Sequence, residues 1–316
     1  MGDLATSLPA YFGYAGRAVK ERGNYYIDGY KIHKSNSNPK EILERYKLLN
    51  RLAEDFLYAD IIMPATNGAP FITLGREVYV MTRHVIGSEP ALSDLGNMTL
   101  MLEAVAKFHK AARGFENTPK SAPSLCDVFY KQKAELDSAI KKVHRCPRLS
   151  DFDVLMLKNA DAYTERVENA TKILGETDYI SLYKEAAENK HLCHNALKEE
   201  AFTIHEDKCY ISRFEEAAVD LQLSDLASIL RRYARKSNRE IPIKKLLEIY
   251  DNILPLPNTS DKILYAQLSF PWQFLKISSQ YYSKKRNFIP AAITGRMSAI
   301  LDEQEVYDDY VAGLYT

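Results

Sequence analysis

The stretch that decides the fold spans residues 192–216 and reads LCHNALKEEAFTIHEDKCYISRFEE. It contains two short runs of β-prone residues, 201–204 and 209–212, joined by the polar segment 205–208. Two such runs separated by a polar turn predict a β-hairpin. Since the segments before and after this stretch have the apolar spacing of helices, the sequence predicts one hairpin within a helical region.

The first 84 residues predict a different structure, made mainly of strands. The run 25–32 has Asp28-Gly29 at its centre, a strong signal for a two-residue hairpin because both turn positions accept a positive φ. A helix follows, in which the apolar residues of 42–56 recur at steps of three and four. Further extended runs occupy 61–63, 71–74 and 77–83.

From residue 85 onward the sequence is mostly helical, with apolar stripes over 100–111, 152–174, 223–235 and 243–253. A β-rich segment followed by a helical region with a single hairpin is the arrangement of protein-kinase-like folds. We therefore predict an α+β, two-lobed kinase-like fold. Its small, β-rich N-lobe is predicted over residues 1–84. The larger, mainly helical C-lobe is predicted over 85–316 and contains the hairpin at 201–213.

The composition excludes some classes of partner. Lys and Arg together number 42, as do Asp and Glu, so no net charge favours binding to nucleic acid or to an anionic membrane. The four cysteines have no C-x-x-C spacing, which favours free thiols in a reducing cytoplasm. The longest uncharged apolar stretch, 263–275, is shorter than the roughly 20 residues that a membrane span needs. With no signal peptide evident at the start, we expect synthesis in the cytoplasm.

Several motifs resemble one known family. In chain order they are 77–82 (EVYVMT), 106–115 (AKFHKAARGF), 192–194 (LCH), 264–272 (LYAQLSFPW) and Tyr281-Tyr282. Their order and spacing resemble the CotS-type spore coat proteins, relatives of aminoglycoside and choline phosphotransferases. The resemblance implies synthesis in the mother cell, location in the spore coat, and other spore coat proteins as partners. The aromatic residues of the last two motifs, with Phe274, are expected to pack the C-terminal helices.

The chemistry of this fold depends on residues around the hairpin. In kinase-like folds an H-x-D segment supplies the base, while a later Asn and an Asp after the hairpin hold magnesium. Aligned on His194, this pattern places Ala196 at the catalytic Asp, Ala201 at the Asn and Arg213 at the metal-binding Asp. The framework of the pattern is retained at His194, Phe214 and Asp225. We therefore predict a pseudokinase that is not an enzyme and has no metal or cofactor.

Nearby acidic residues leave a second interpretation open. Four of them could form a displaced metal-binding cluster: Glu199, Glu200, Glu215 and Asp220. The chain would then be an active small-molecule kinase of the aminoglycoside or choline type, dependent on ATP and magnesium. A third possibility is a pseudokinase that still binds nucleotide. We favour the simpler explanation that these acids solvate turns or lie at helix N-termini.

Two single residues complete the predicted site. If nucleotide binds, Lys34 is the candidate for the lysine that contacts its phosphates, with Glu41 or Glu44 as its partner. A solvated lysine on an edge strand is an equal alternative, and no Gly-rich phosphate loop is evident. His194, although next to Cys193, is expected to be structural, hydrogen-bonded to the backbone of its loop and of the hairpin.

Overall fold

The computed structural model describes residues 3–115, 120–283 and 289–314. The chain forms two compact units that interleave along the sequence. The first comprises Met1–Ser121, Asn189–Val219 and Ile249–Pro255, and the second Ala122–Glu188, Asp220–Glu248 and Leu256–Thr316. These units differ from the two contiguous segments predicted, because the helical region contributes to both. The lobe boundary at residue 84 therefore stays a prediction.

Every strand among the described residues lies in the first unit. Its elements are α1 (Leu4–Tyr11), β1 (Val19–Glu21), β2 (Asn24–Ile27), β3 (Tyr30–Ser35), α2 (Pro39–Leu52), β4 (Ile62–Met63), β5 (Ile72–Leu74), β6 (Glu77–Arg83), α3 (Leu95–Ala111), β7 (Leu192–Cys193), β8 (Phe202–His205), β9 (Lys208–Ile211) and β10 (Ala218–Val219). The main sheet is antiparallel in the order β1-β2-β3-β6-β4, and β5 also pairs with β6. Two further pairs, β8-β9 and β7-β10, come from the later part of the chain.

The turn between β2 and β3 confirms the predicted hairpin. Asp28 and Gly29 have φ values of 47° and 78°, the positive values that a tight hairpin turn requires. Helix α2 begins after Asn38, whose side chain accepts a hydrogen bond from the Glu41 amide while the Glu41 carboxylate accepts one from the Asn38 amide. This capping box fixes where the helix starts.

Strand β3 separates the first unit's core from a polar surface. Ile32 is fully buried and belongs to a core cluster that includes Leu8 and Phe12 of the α1 region. Because side chains alternate along a strand, Lys31 and His33 lie on the opposite face. The sheet therefore has one apolar face and one face that carries titratable groups.

The predicted hairpin at 201–213 is present as β8 and β9, with Phe202 opposite Ile211. The chain after β6 packs directly on it: Ser88 and Ile204 exchange two backbone hydrogen bonds of 3.0 and 2.9 Å. A Cβ on Gly87 would lie 2.2 Å from the carbonyl oxygen of Ile204. Only glycine permits this approach, and it fixes the hairpin next to the end of β6.

The remaining elements are helices: α4 (Leu125–His144), α5 (Asp151–Gly175), α6 (Tyr179–Glu188), α7 (Leu223–Lys236), α8 (Ile243–Asp251), α9 (Ser260–Ser269), α10 (Trp272–Tyr282), α11 (Pro290–Asp302) and α12 (Gln304–Ala312). Stacked aromatic pairs join several helices of the second unit. The ring centroids are 3.8 Å apart in Phe129–Phe270, 3.8 Å in Tyr163–Phe274 and 4.0 Å in Phe152–Tyr281. The aromatic residues near the C-terminus thus pack helices together, as predicted.

Two smaller predictions concern the whole chain. None of the four cysteines forms a disulfide bond, and Cys193 and Cys209 are buried whereas Cys146 is exposed. Within 3–115, 120–283 and 289–314, no helix combines the length and the apolar character needed to cross a bilayer.

Candidate functional site

A cavity of about 640 Å³ lies within the first compact unit. Its walls come from β3, α2, the segment before β4, the end of β6 and the β8-β9 hairpin with the residues that follow it. The charged and titratable side chains on its walls are Lys31, His33, Lys34, Arg45, Asp60, Arg83, His84, Glu200, Tyr210, Arg213 and Glu215. We refer to this cavity as the cleft.

Arg45 is the best-shielded cation in the cleft. Its side chain is only 9% exposed, and its Nη1 atom lies 3.5 Å from Glu215 Oε1 and 3.3 Å from Ser37 Oγ. In protein kinases the corresponding helix carries a glutamate that pairs with a lysine of the third strand. Here α2 carries the cation, and its acidic partner follows the hairpin, so the ion pair joins different elements.

Lys34 does not have the partner that the sequence predicted. Its Nζ atom lies 2.6 Å from Glu77 Oε1, in an exposed ion pair on the sheet. Of the two predicted partners, Glu41 caps helix α2, and Glu44 Oε1 lies 3.9 Å from Lys40 Nζ. The predicted pairing was wrong because residues adjacent across a sheet are closer than those of the following helix. Since Lys34 also lies on the cleft wall, a role in binding nucleotide remains a prediction.

Two titratable groups in the cleft have strongly shifted pKa values. Burial raises the pKa of the Asp60 carboxyl from 3.8 to about 7, although the cations Lys31, Arg45 and Arg83 oppose that shift. Burial also lowers the pKa of His33 to about 4, and the nearby Lys31 lowers it further. His33 is therefore neutral at pH 7, and Asp60 carries a proton in a large fraction of molecules.

His194 lies at the base of the hairpin and is fully buried. Its Nε2 atom is 2.8 Å from the carbonyl oxygen of Ser212, and its Nδ1 atom accepts a 3.2 Å hydrogen bond from the Ala196 amide. The Phe214 ring packs against the imidazole with centroids 4.8 Å apart. These contacts join the loop before the hairpin to the residues after it, the structural role expected of this histidine.

The three positions predicted to replace the catalytic and metal-binding residues differ in environment. Ala201 is buried in the 3-10 turn Glu199–Ala201, and its carbonyl oxygen accepts a 2.8 Å hydrogen bond from the Ser212 amide. Ala196 is half-buried beside His194. Arg213 is exposed on the cleft wall, with φ 67° and ψ 53°. Within the described parts of the chain, its side chain makes no hydrogen bond or ion pair.

The acidic residues of the second interpretation are not all in the cleft. Glu200 and Glu215 line it, whereas Asp220 belongs to the second unit. There burial raises the pKa of Asp220 to about 7, and the nearby Asp225 raises it further. Asp225 is itself buried in the first turn of α7.

The sequence analysis missed several titratable residues of the cleft, among them Lys31, His33, Arg45, Asp60 and Arg83. A signal existed for three of them. Lys31 and His33 alternate with the apolar Ile32 in a strand, which places them together on the other face. Arg45 interrupts an apolar helical stripe, three residues after Ile42 and four before Leu49. Asp60 and Arg83 become neighbours of these residues only through the tertiary fold.

Comparisons with known proteins agree with this architecture. The chain is 23% identical over 263 residues to spore coat protein S of Bacillus subtilis (strain 168), covering 81% of this chain and 74% of that protein. It is 24% identical over 183 residues to the endospore coat-associated protein YutH of the same organism, covering 56% and 53%.

Solved structures show the fold. An aminoglycoside phosphotransferase from Alicyclobacillus acidocaldarius superposes with a TM-score of 0.83 at 17% identity, covering 99% of this chain and 92% of that one. A spectinomycin phosphotransferase in complex with AMP superposes with a TM-score of 0.69 at 13% identity, covering 96% of each chain. The predicted α+β kinase-like fold and the resemblance to spore coat proteins are thus confirmed. The model of the family described as spore coat putative kinase YutH matches residues 14–314, so the chain belongs to that family.

Proposed function

We propose that this spore coat kinase-like protein is catalytically inactive and acts through contacts with other coat proteins, in the structure or assembly of the coat. The alignment on His194 carries the proposal, because it assigns Arg213, which follows the hairpin, to the position where kinase-like enzymes have a magnesium-binding aspartate. This arginine brings a positive charge to the place where catalysis needs a divalent cation. We further propose synthesis in the mother-cell cytoplasm, followed by deposition in the spore coat.

The residues of the cleft do not fit magnesium. Mg²⁺ prefers one or two ionised carboxylates in a near-octahedral set of oxygen ligands. Glu215 is paired with Arg45 at 3.5 Å, and Asp60 has a pKa of about 7. Within the described ranges, no group of three His, Cys, Asp or Glu ligand atoms converges in this cleft.

A second function has one observation in its favour. Glu200 and Glu215 line the same cavity, the minimum that a displaced acidic site would need. In that case the protein would transfer phosphate from ATP to a small aminoglycoside-like or choline-like substrate and would require magnesium.

Measurement of ADP release separates the two functions. Wild-type protein is incubated with ATP, Mg²⁺ and a panel of aminoglycosides and amino alcohols, beside the Glu200→Gln/Glu215→Gln double variant. We expect wild type and variant to release ADP at the same background rate. Turnover by the wild type that the double variant loses would overturn the proposal and establish the kinase.

A complementation experiment tests the coat role directly. In a spore former that lacks its own copy of the gene, the double variant should restore coat assembly as fully as the wild type. Failure of the double variant to assemble, despite normal folding and abundance, would show that its acidic groups are required and would contradict an inactive scaffold.

A further inference from the structure

The outward face of α4, in the second compact unit, carries a positively charged groove. This cavity of about 490 Å³, which we call the basic groove, is lined by Ala134, Asp137, Ser138, Lys141, Lys142 and Arg145. The acid among these residues is already neutralised, because Lys133 Nζ lies 3.4 Å from Asp137 Oδ2. Lys141 and Arg145 are exposed, and neither has a side-chain hydrogen bond or ion pair among the residues that the structure describes. The groove therefore presents positive charge that the described part of the chain does not neutralise.

Helix α12 and the end of α11 carry the opposite charge. Four exposed carboxylates lie there: Asp302, Glu303, Glu305 and Asp309. Val306, a large apolar residue that is 53% exposed, lies between the last two. Tyr307 and Val311 are buried, so Glu305, Val306 and Asp309 share the outward face of α12. Within the described ranges none of the four carboxylates has an ion pair, and we call this surface the acidic face.

Helix α5 separates the two surfaces. Lys133 Nζ of α4 lies 3.4 Å from Glu168 Oε1, whereas Arg166, two residues earlier in α5, pairs with Asp308 of α12. Side chains two residues apart point about 200° apart around an α-helix, so α4 and α12 flank opposite sides of α5. A helix with its side chains is about 10 Å wide, more than the Debye length of about 8 Å at physiological salt. The charges of the two surfaces therefore do not neutralise each other within one molecule.

From these observations we propose that copies of this protein associate head to tail, with the acidic face of one copy on the basic groove of the next. The cations of the groove face the carboxylates of the acidic face, and the small side chains of Ala134 and Ser138 leave room for Val306. A second copy is a partner whose surface charges match those of the groove. The chain's net charge of zero at pH 7 leaves no overall repulsion between copies.

The kind of contact determines the kind of assembly. Because the two surfaces differ, the contact is heterologous, and it generates open chains or rings of copies. This inference rests on the proposed function and deepens it, since it names the chain itself as one of the proteins contacted in the coat. Exposed ion pairs are individually weak and are screened by salt. Association is therefore expected to be weak and to fall as the salt concentration rises.

Sedimentation equilibrium of the full chain tests the proposal. It is measured at about 0.1 M and about 1 M NaCl, between which the Debye length falls from about 10 Å to about 3 Å. In low salt we expect the weight-average mass to rise with protein concentration between about 5 and 200 μM, the range in which weak contacts form. In high salt it should stay close to the mass of the monomer. A monomer at every concentration in low salt, or association that salt strengthens, would overturn the inference.

Two charge-reversal variants identify the surfaces involved. Lys141→Glu/Arg145→Glu reverses the groove, and Glu305→Lys/Asp309→Lys reverses the acidic face. Each variant alone should remain monomeric, because both of its surfaces then carry charge of the same sign. Mixed in equal amounts, the two variants should associate as the wild type does, since each offers the surface that the other lacks. Single variants that associate like the wild type, or a mixture that stays monomeric, would contradict the proposed contact.

Lys172→Glu/Lys184→Glu is the matched control for the groove variant. Both lysines are exposed in the second unit and lie outside the groove, and the change in net charge is the same. The control should associate like the wild type, and thermal unfolding verifies that all variants fold. An equal loss of association in the control would reduce the effect to net charge and would contradict the site. ADP release, measured separately, bears only on catalysis: an associating enzyme would refute the proposed inactivity alone, and an inactive monomer would refute this inference alone.

Discussion

Two parts of the first compact unit, both around the hairpin, differ in how completely their polar groups are satisfied. The framework, meaning His194 with Ser212 and Phe214, is buried and closed by short hydrogen bonds and ring packing. The cleft wall, meaning Lys31, Arg83 and Arg213, holds cations without partners among the described residues. The framework residues maintain the kinase-like hairpin, whereas the residues of the cleft wall determine its chemistry. The framework is packed beside the positions at which the sequence predicts that the acids of the active enzymes are absent.

The largest expected effect breaks the framework. His194→Ala removes two buried hydrogen bonds, leaves the Ser212 carbonyl without this partner and opens a cavity beside Phe214. The free energy of unfolding should fall by about 3 kcal/mol. Chemical denaturation monitored by circular dichroism measures it.

His205→Ala is the matched control for this prediction. His205 is exposed at the tip of the same hairpin, and its change in stability should remain within about 0.5 kcal/mol. If both histidine variants lost the same stability, the framework would not be distinguished from the surface of the hairpin.

An intermediate effect concerns the cleft wall and depends on pH. The pKa of Asp60 is 3.8 in the unfolded chain and about 7 in the folded protein. Between these two pH values the folded state binds a proton that the unfolded state has released. The stability that this proton provides is therefore lost as pH rises through 7. Asp60→Asn lacks this loss, so its free energy of unfolding should gain roughly 4 kcal/mol relative to wild type between pH 4 and 8. Urea unfolding at several pH values measures the difference.

Asp94→Asn provides a control of opposite sign. Hydrogen bonds from Asn97 lower the pKa of the Asp94 carboxyl, which caps α3. Its contribution to stability is present at neutral pH and is lost as pH falls through the folded pKa. For each variant, the difference from wild type in the free energy of unfolding is plotted against pH, and the two slopes should have opposite signs. Slopes of the same sign would show that Asp60 is not desolvated.

The smallest effect tests the strain at Arg213. In the left-handed region glycine has no Cβ penalty, so Arg213→Gly should be about 1 kcal/mol more stable than Arg213→Ala. Both variants lose the same charge, so their difference isolates the backbone. At Lys208, the first residue of strand β9, Lys208→Gly should instead be less stable than Lys208→Ala. Equal stabilities of the two Arg213 variants would mean that this backbone is not strained.

Local sequence was sufficient to predict many of the helices and strands and to identify the three predicted replacements. The Asp28-Gly29 turn, the capped helix α2 and the hairpin at β8 and β9 follow from spacing and turn chemistry, because each is settled by near neighbours in the chain. The prediction that Ala196, Ala201 and Arg213 replace functional residues of kinase-like enzymes also rests on the sequence alone. Helix α4 was not predicted, although Leu125, Phe129, Leu136 and Val143 have helical spacing.

Only the tertiary structure decided which charges meet. Arg45 pairs with Glu215, and Lys34 pairs with Glu77, although the sequence suggested a glutamate of α2 for Lys34. The pKa shift of Asp60 likewise depends on burial by elements distant in the chain. Coulomb and desolvation energies depend on distance in space and on burial, and the order of residues fixes neither until the sheet, α2 and the hairpin have packed together.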